Sequence, residues 1–501
     1  MLSPFDYPWR SDQGDGAYRN PVLHADYSDP DVVRHGDAYW MTASSLTCTP
    51  GLPILRSPDL VNWRLVGHAL RQVPTSRYAD VQPGAGVWAP SLRHHAGKFW
   101  IFFGMPDEGI YVTTATDPTG PWTAPWLLQS ARGWIDPCPF WDRDGRAYLI
   151  HAFAHSRCGL RDRLHLRPMS PDARQILGEG HELIHAPHHP YLEGPKMYRI
   201  GEYYYILAPG GGVTRGWQVA FRARSIHGPY EERVVLQQGR TAINGPHQGA
   251  LLDGPDGRWW FFHFQDAGAF GRVNHLQPVE WEDGWPMMGK AGGEAGVREP
   301  VEAWTKPTAL GQPAPIETPA ASDEFDATHL GFQWQWQANH HSWWADLKAR
   351  PGWLRLAARP IHGRDLILAP HLLSQKFPAR RFVVETWVEP CANGEPLAAG
   401  LVVSGGDIGF GLLLNERGDL VEWCGDGPSI VAESVGSALR LRLRVESNAS
   451  CRFAYATASG PWVELPTPHQ ASSGGWMGAR VGLIAQGLTR SADFDYFRFN
   501  H

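Results

Sequence analysis

A fivefold internal repeat limits how this chain of 501 residues can fold more than any other feature of its sequence. In each unit a polar or aromatic residue lies near a proline, and an apolar alternation, a glycine and an aromatic stretch follow. The marker glycines recur at intervals of 48 to 61 residues. The five units are "DPDVVRHGDAYWM" from Asp29, "WAPSLRHHAGKFWIFF" from Trp88, "DPCPFWDRDGRAYLI" from Asp136, "EGPKMYRIGEYYYI" from Glu193 and "HQGALLDGPDGRWWFF" from His247.

Each unit is typical of a β-hairpin, because two stretches of period-two alternation meet at a glycine-bearing turn such as "RHGD" or "PDGR". Further short strands fit between the units, which gives about four strands in every fifty residues or so. This pattern predicts a five-bladed β-propeller, an all-β fold in which the innermost strand of each blade lines a central channel. Residues at one position of the repeat should therefore meet at one end of that channel.

The charge balance excludes several classes of partner. The formal net charge is −6 and the sequence pI is about 6.4, so the chain has no positive field to hold nucleic acid or an anionic membrane surface. The chain also contains 24 tryptophans. Packing can explain most of them, but exposed indoles could also serve as flat apolar platforms for the C–H faces of sugars.

Cysteines and targeting signals also narrow the class of protein. Six cysteines without a C-x-x-C pair indicate free thiols, and neither a zinc site nor a disulfide scaffold. The first ten residues, "MLSPFDYPWR", lack a basic region followed by an apolar one, and no stretch reaches the length of a membrane span. We therefore expect a cytoplasmic protein without a membrane partner, or a periplasmic one if an export signal has been removed.

The first residue of each repeat unit is the place to look for chemistry. Three units begin with a carboxylate (Asp29, Asp136 and Glu193), one with His247 and one with Trp88. A position that only packs would normally keep one residue type, so varied polar types at an inward position indicate a site. Each residue also has a structural alternative, because Asp–Pro is a common turn, glutamate before Gly–Pro can be solvated, and a single histidine is often a core residue.

Paired carboxylates suit the hydrolysis of glycosidic bonds. An inverting hydrolase needs one protonated carboxyl group to protonate the leaving oxygen and one carboxylate to activate a water on the opposite face, about 6.5–9.5 Å away. The mouth of a propeller channel can supply that separation. A third carboxylate near the acid would raise the pKa of the acid by like-charge repulsion.

The motifs resemble glycoside hydrolase family 43, in order and over nearly the whole chain. The resemblance is to its β-xylosidase and α-L-arabinofuranosidase members, which implies a propeller glycosidase. It is carried by "NPVLHADYSDPDVVRHGDAYWMTASS", "PGLPILRSPDLVNWRLVGHAL", "GVWAPSLRHHAGKFWIFF", "WIDPCPFWDRDGRAYL", "LEGPKMY" and "GRVNHLQPVEWEDGWP".

The resemblance implies roles for individual residues. Asp29 in "SDPD" matches the general base, and Glu193 in "EGP" matches the general acid. Asp136 in "IDP" matches the residue that orients the acid and tunes its pKa. Arg272 in "GRVNHLQP" matches an arginine that binds hydroxyls of the cleaved sugar, where the structural alternative is a surface salt bridge.

Three further expectations concern the pocket. His247 in "GPHQG" matches a histidine at the channel centre, which in some members holds a calcium ion directly or through water. We expect no required cofactor, with a structural calcium near His247 as the alternative. Trp88 matches an aromatic pocket wall. Leu46 lies in "SSLTCTPGLP" where many xylosidases carry an aromatic residue, so one wall, and with it the sugar preference, should differ here.

A second domain follows the propeller. We predict the propeller over residues 15–295, a Pro- and Ala-rich linker over 296–321 that is wrapped along the surface or disordered, and an antiparallel β-sandwich over 322–501. The sandwich resembles the concanavalin-like C-terminal domain of the same xylosidases, which packs near the active-site mouth. Trp476 in "GGWMGARVGL" is the candidate for an aromatic sent toward the pocket, and the alternative is a buried sandwich tryptophan.

These observations predict an exo-acting, inverting hydrolase. It would release terminal α-L-arabinofuranosyl or β-D-xylosyl units from oligosaccharides of plant cell-wall hemicellulose, since a pocket closed at one end accepts one terminal sugar. The alternatives are an endo-arabinanase-like hydrolase and a non-catalytic propeller that binds glycans. A retaining fructan-active propeller enzyme is disfavoured because "SDPDV" lacks its "NDPNG"-like nucleophile motif.

Overall fold

The computed structural model describes residues 8–292, 296–311, 315–361, 365–391, 397–406, 408–425 and 427–500. Residues 295 and 501, which end the predicted propeller and sandwich, lie outside the described residues. Strand β1 (Ala17–Arg19) opens the fold, and nearly all regular structure after it is β-strand. None of the helices within these ranges has the length and hydrophobicity that crossing a bilayer requires.

Five four-stranded antiparallel sheets follow β1 and form the predicted five-bladed propeller. Each sheet uses four consecutive strands, so the chain finishes one blade before it begins the next. The blades are β2 (Asp31–His35), β3 (Ala38–Thr42), β4 (Gly51–Ser57) and β5 (Arg64–Leu70); β6 (Trp88–His95), β7 (Lys98–Met105), β8 (Gly109–Ala115) and β9 (Trp126–Ser130); β10 (Trp134–Trp141), β11 (Ala147–Phe153), β12 (Arg163–Met169) and β13 (His181–His185); β14 (Lys196–Ile200), β15 (Tyr203–Gly210), β16 (Trp217–Ala223) and β17 (Glu231–Gln237); β18 (Gly249–Asp253), β19 (Trp259–Asp266), β20 (Arg272–Glu282) and β21 (Trp285–Met288).

Buried charges tie three innermost strands together inside the channel. Asp31 on β2 accepts hydrogen bonds from Arg93 Nη1 (2.6 Å) and from the backbone N–H of Leu92 (2.8 Å), both on β6. Lys196 on β14 lies 3.6 Å from Asp31 and donates to Ser91 Oγ of β6 at 2.7 Å. Breaking one partner of a buried ion pair leaves an uncompensated charge, so this cluster holds the three strands in one register.

The segment after the propeller runs along its surface. Strand β22 (Ala303–Thr305) pairs with β1, and Glu317 donates its backbone N–H to Asn62 at 3.0 Å. Val301 and Leu310 are buried. The described part of the predicted linker therefore lies against the propeller, including one strand that the sequence pattern did not indicate.

Two larger antiparallel sheets make up the C-terminal sandwich, and their apolar faces share one core. One sheet has the strand order β23-β26-β36-β28-β29-β30-β31 and the other β24-β25-β37-β27-β32-β33-β34, with β35 paired to β33. These strands are β23 (Gln335–Trp336), β24 (Ala345–Asp346), β25 (Leu354–Ala357), β26 (Leu373–Lys376), β27 (Phe382–Cys391), β28 (Leu397–Ser404), β29 (Phe410–Asn415), β30 (Leu420–Cys424), β31 (Gly427–Ala432), β32 (Leu439–Val445), β33 (Ser450–Ala456), β34 (Val463–Glu464), β35 (His469–Gln470), β36 (Arg480–Gly487) and β37 (Ser491–Asn500).

Helices are few and short. Within the part of the chain that the structure describes, one α-helix, α1 (His155–Cys158), is accompanied by single turns of 3₁₀-helix. These turns lie at Ser76–Ala79, Gly268–Phe270, Ser342–Trp344 and Leu366–Leu368.

The sandwich is fixed to the propeller by backbone hydrogen bonds. Thr49 and Trp336 exchange N–H···O bonds of 3.0 and 2.7 Å, and Ala479 donates to the Ala269 carbonyl at 2.7 Å. Asp26 joins the two domains through its side chain, because Oδ1 accepts from the backbone N–H of Arg272 (2.8 Å) and Oδ2 from that of Gly478 (2.9 Å).

Glycine is required at position 271, next to the Asp26 side chain that joins the propeller to the sandwich. Its φ is +74°, and a Cβ there would lie 2.4 Å from Asp26 Cγ. Because both carboxylate oxygens of Asp26 are already bonded, that side chain cannot easily move away.

We expect Gly271→Ala to lower the free energy of unfolding by about 2–4 kcal/mol, from backbone strain plus overpacking. Gly268→Ala is the matched control, because its φ is +62° but no atom lies within 4 Å of its Cβ position. The control should lose only about 1–2 kcal/mol. Urea unfolding of both variants measures the difference in the free energy of unfolding. An equal decrease for both variants would show that the Asp26 side chain can move away from the added Cβ at little cost.

Candidate active site

One cavity of about 250 Å³ lies at the end of the channel where the repeat units begin. The leading residues lie just before or within the innermost strands β2, β6, β10, β14 and β18, which is why they meet. Seven of the eight predicted site residues line the cavity, and the eighth, His247, lies behind Glu193. The seven are Asp29, Leu46, Trp88, Asp136, Glu193, Arg272 and Trp476.

The carboxylate of Asp29 is held by three donors. Ser28 and Ser44 donate their hydroxyls to Oδ2 at 2.8 and 2.6 Å, and Arg272 Nη1 donates to Oδ1 at 2.9 Å. The residue has φ +52°, just before β2 begins. The backbone conformation and the three donors together fix where the two oxygens lie.

Asp136 occupies a β-bulge in β10. The register between β10 and β11 shifts between Ile135 and Cys138, and Asp136 has φ +55°. Its side chain is almost fully buried (4% exposed), and Oδ2 accepts the backbone N–H of Gly194 at 2.7 Å. The bulge turns this carboxylate toward the loop that carries Glu193.

Glycine is needed at position 194 for this contact. Gly194 has φ +60°, and a Cβ there would lie 2.8 Å from the side-chain amide of Gln248. Because Gly194 fits against Gln248, its N–H can reach Asp136, and this hydrogen bond holds the neighbouring Glu193 beside Asp136. Glu193 is about one-third exposed (32%), and its Oε1 lies 3.0 Å from Nε2 of the buried His247.

Burial raises the pKa of Asp136 well above its ordinary value of 3.8, and the charges of Glu193 and Asp29 raise it further. The Gly194 N–H and the charge of Lys196 act in the opposite direction but do not cancel the shift. The sequence predicted a like-charge effect on the general acid, whereas the raised pKa described here is that of Asp136, and burial is its largest cause. This group keeps its proton at pH values where an exposed aspartate is ionised.

Trp476 forms part of the cavity wall, although it belongs to the sandwich. Gly474 and Met477 exchange two backbone hydrogen bonds of 3.0 Å, and the residues between them have φ of +56° and +71°. Two positive φ values are the mark of a type I′ turn. The turn leaves Trp476 54% exposed, with its ring 6.3 Å from that of Trp88 in an edge-to-face arrangement. The alternative of a buried sandwich tryptophan is therefore wrong.

Leu46 completes the wall on the side of the first blade. It is buried, has φ +49°, and forms an isolated bridge with Val87. The neighbouring Thr47 donates its hydroxyl to the backbone oxygen of Gln337 in the sandwich at 2.7 Å. The loop that departs from the xylosidase pattern thus contributes both to the wall and to the domain contact.

Seven cavity residues were not predicted, and three of them have polar groups in their side chains. Ser44 bonds Asp29, Gln248 abuts Gly194, and Tyr191 lies at the rim two residues before Glu193. Ser44 carries no distinctive pattern, so only the fold reveals it, whereas Gln248 follows His247 within the "GPHQG" motif. Tyr191 directly precedes the "LEGP" motif, and that proximity could have drawn attention to it.

The side chains around His247 do not by themselves supply a calcium site. Calcium takes six to eight oxygen ligands, whereas His247 offers nitrogen and contacts one carboxylate, Glu193. Nδ1 of His247 is buried without a hydrogen-bond partner among the described residues. An ion there would need water for most of its ligands. The calcium stays a prediction.

Within the described ranges, one group of three potential metal ligands converges: His188, His189 and Glu232. Trp217 Nε1 donates to Nδ1 of His189 at 3.1 Å, so a neutral ring keeps its proton on Nε2, which lies 3.4 Å from Glu232. Metal-binding histidines use their second nitrogen as a donor instead. The group is better described as a hydrogen-bonded cluster.

Comparison with known families accounts for both domains. A sequence profile described as glycosyl hydrolases family 43 matches residues 18–286. A second profile, described as the beta xylosidase C-terminal concanavalin A-like domain, matches residues 322–500. The two matched ranges coincide with the propeller and with the sandwich seen in the structure.

Individual relatives cover nearly the whole chain. A Xylanibacter ruminicola protein provisionally named beta-xylosidase is 38% identical over 94% of this chain and 87% of its own length. A Bacteroides ovatus protein named non-reducing end alpha-L-arabinofuranosidase is 28% identical over 96% of this chain and 94% of its own. The crystal structure of a Bacillus halodurans xylan beta-1,4-xylosidase superposes with a TM-score of 0.83 at 26% identity, covering 96% of this chain and all of that one.

Asp136→Asn is expected to stabilise the protein near neutral pH. The raised pKa means that the native state keeps a proton which the unfolded chain releases above pH 3.8. That contribution to stability is complete below 3.8 and is lost as pH rises through the raised pKa. Asparagine stays neutral, so the variant's Tm should exceed that of the wild type by a margin that grows as the pH rises from 3.8 toward the raised pKa of Asp136. Thermal unfolding at several pH values measures this.

Asp142→Asn is the matched control. Burial acts against ionisation of Asp142, but hydrogen bonds from Tyr204 and Arg199 outweigh it and lower its pKa. Its stabilisation is present above pH 3.8 and is lost as pH falls through the lowered pKa, so this variant should be less stable than the wild type near neutrality. A pH-independent difference for Asp136→Asn would contradict the assignment.

Proposed function

The chain belongs to glycosyl hydrolase family 43, and from this premise we propose that it is an exo-acting, inverting glycosidase. It removes single β-D-xylosyl or α-L-arabinofuranosyl units from the ends of xylan-type oligosaccharides. The observation that carries the proposal is the meeting of Asp29, Asp136 and Glu193 in one cavity bounded by Trp88, Leu46 and Trp476.

Asp29 acts as the general base. Oδ2 accepts from two serine hydroxyls, whereas Arg272 is the one donor to Oδ1 among the described residues. A carboxylate oxygen can accept two hydrogen bonds, so Oδ1 keeps one position for the proton of an attacking water. Arg272, which is largely buried, holds the base and presents its remaining N–H groups to sugar hydroxyls.

Glu193 acts as the general acid. His247 holds Oε1 and leaves Oε2 to carry the proton that goes to the leaving oxygen. Asp136 positions this acid through the N–H of the next residue, Gly194.

The small size of the cavity favours exo action. Its volume of about 250 Å³ lies below the roughly 300–1,000 Å³ of pockets for drug-sized ligands, which suits one sugar unit. Trp476 and Trp88 form aromatic walls against which the C–H face of that sugar can pack. Relatives named for β-xylosidase and for α-L-arabinofuranosidase support both pentoses as substrates.

Asp29→Ala should reduce kcat by about 10²–10⁴-fold on every pentoside, because the water then has no base. Glu193→Ala should lose about as much on xylobiose but less than about tenfold on nitrophenyl pentosides, whose leaving groups need no proton. Steady-state kinetics on both substrate types measures this contrast.

Glu202→Ala is the control, since this glutamate is exposed on the same blade as Glu193 and pairs with Arg224. It should leave kcat within about twofold of the wild type, as surface substitutions usually do. Proton NMR of the first product formed should show the inverted anomer. Retention, or equal losses for Glu193→Ala on both substrate types, would refute the proposed roles.

A further inference from the structure

Tyr191 is a rim residue of the cavity that the chemistry above does not use. It lines the cavity beside Glu193, and 51% of its surface is exposed. Among the described cavity residues, Tyr191 and Trp476 are the large side chains that remain exposed to this degree. An exposed aromatic ring at the entrance offers a flat apolar face to whatever extends out of the pocket.

The backbone holds Tyr191 in a conformation that its side chain disfavours. Its φ is +59°, and its N–H donates to Asp162 Oδ1 at 2.5 Å. The carbonyl of Pro190 accepts the N–H of Gly211 at 2.6 Å. A turn that only reverses the chain would place Gly, Asn or Asp at a left-handed position. Strained residues cluster at ligand-binding sites, and Tyr191 is both strained and half-exposed at this cavity.

A cation stands beside the ring. The guanidinium carbon of Arg161 lies 5.5 Å from the centre of the Tyr191 ring, and Arg161 Nε lies 3.3 Å from Asp162 Oδ2. Asp162 therefore holds both Tyr191 and Arg161. About half of the Arg161 side chain is exposed, so its remaining N–H groups can donate to hydroxyls next to the ring.

The position of Glu193 indicates which part of a substrate the Tyr191 ring would contact. Glu193 is proposed to protonate the oxygen that joins the cleaved sugar to its leaving group, so the leaving group lies on the Glu193 side of the bond. Tyr191 precedes Glu193 by two residues and lines the same cavity with half of its surface exposed. We propose that Tyr191 is the stacking platform of the leaving-group subsite, with Arg161 as an adjacent donor to sugar hydroxyls. This inference rests on the proposed function.

The platform is tested with pairs of substrates that have the same cleaved sugar but different leaving groups. Xylobiose has a sugar leaving group, whereas β-D-xylosyl fluoride has a leaving group of one atom; α-L-arabinofuranosyl xylobiose and α-L-arabinofuranosyl fluoride form the equivalent pair. Tyr191→Ala should lower kcat/KM about tenfold on the sugar-leaving substrate and less than about twofold on the fluoride. Tyr191→Phe keeps the ring and should keep the wild-type ratio of the two values.

Tyr191→Gly separates stacking from stability. Glycine adopts positive φ without strain, so its Tm should match or exceed that of Tyr191→Ala, while the kcat/KM ratio should fall as far. Trp343→Ala is the control, because Trp343 is equally exposed (56%) on the sandwich and does not line the cavity. It should leave the ratio unchanged.

The possible failures are distinguishable. If the wild type cleaves both substrates and Tyr191→Ala changes them by the same factor, or changes neither, the leaving-group subsite is overturned and the proposed function stands. If the wild type releases pentose from neither pair, the proposed function falls and the subsite falls with it. A ratio that drops for Ala and Gly but not for Phe supports the platform.

Discussion

The buried charge cluster in the channel is the interaction on which the site depends. Asp31, Arg93 and Lys196 come from three innermost strands and meet away from solvent. Asp31 follows Asp29 by two residues, and Lys196 follows Glu193 by three. Arg93 also reaches Cys138 Sγ at 3.1 Å, two residues after Asp136. On β2 and β14 the same few residues therefore place a carboxyl group at the mouth and a partner in the cluster, while Arg93 on β6 connects them to β10 through Cys138. The register of the blades thus fixes the distances between the acids.

Backbone strain is concentrated where the chemistry is proposed. Of the 16 non-glycine residues with positive φ in the described chain, six line this cavity: Asp29, Leu46, Ala89, Asp136, Tyr191 and Trp476. Such conformations cost free energy and persist only when the surroundings impose them. Here hydrogen bonds, a β-bulge and a type I′ turn impose them. The strained backbone therefore lowers the stability of the protein somewhat, but it orients several side chains toward the cavity.

The sequence could predict the features that repeat. The glycine spacing and alternation indicate five blades, and one shared repeat position brings Asp29, Asp136 and Glu193 together, as the structure shows. Pairings between distant parts of the chain leave no such pattern. Strand β22 adds to β1 across almost 300 residues, and Ser44 enters the site only through tertiary contacts. For Trp476 the sequence left exposure and burial equally open, because its orientation follows from a turn that two positive φ values define.

Asp26 has a consequence for how such proteins can be recombined. One carboxylate oxygen fixes the main chain of Arg272, and the other fixes the main chain of the loop that carries Trp476. The interface between the two domains therefore also forms one wall of the active-site cavity. A chimera that borrows its sandwich from another family member would have to import a loop that fits Asp26 and the Gly271 contact. Otherwise its two halves could each fold and still leave the pocket open on one side.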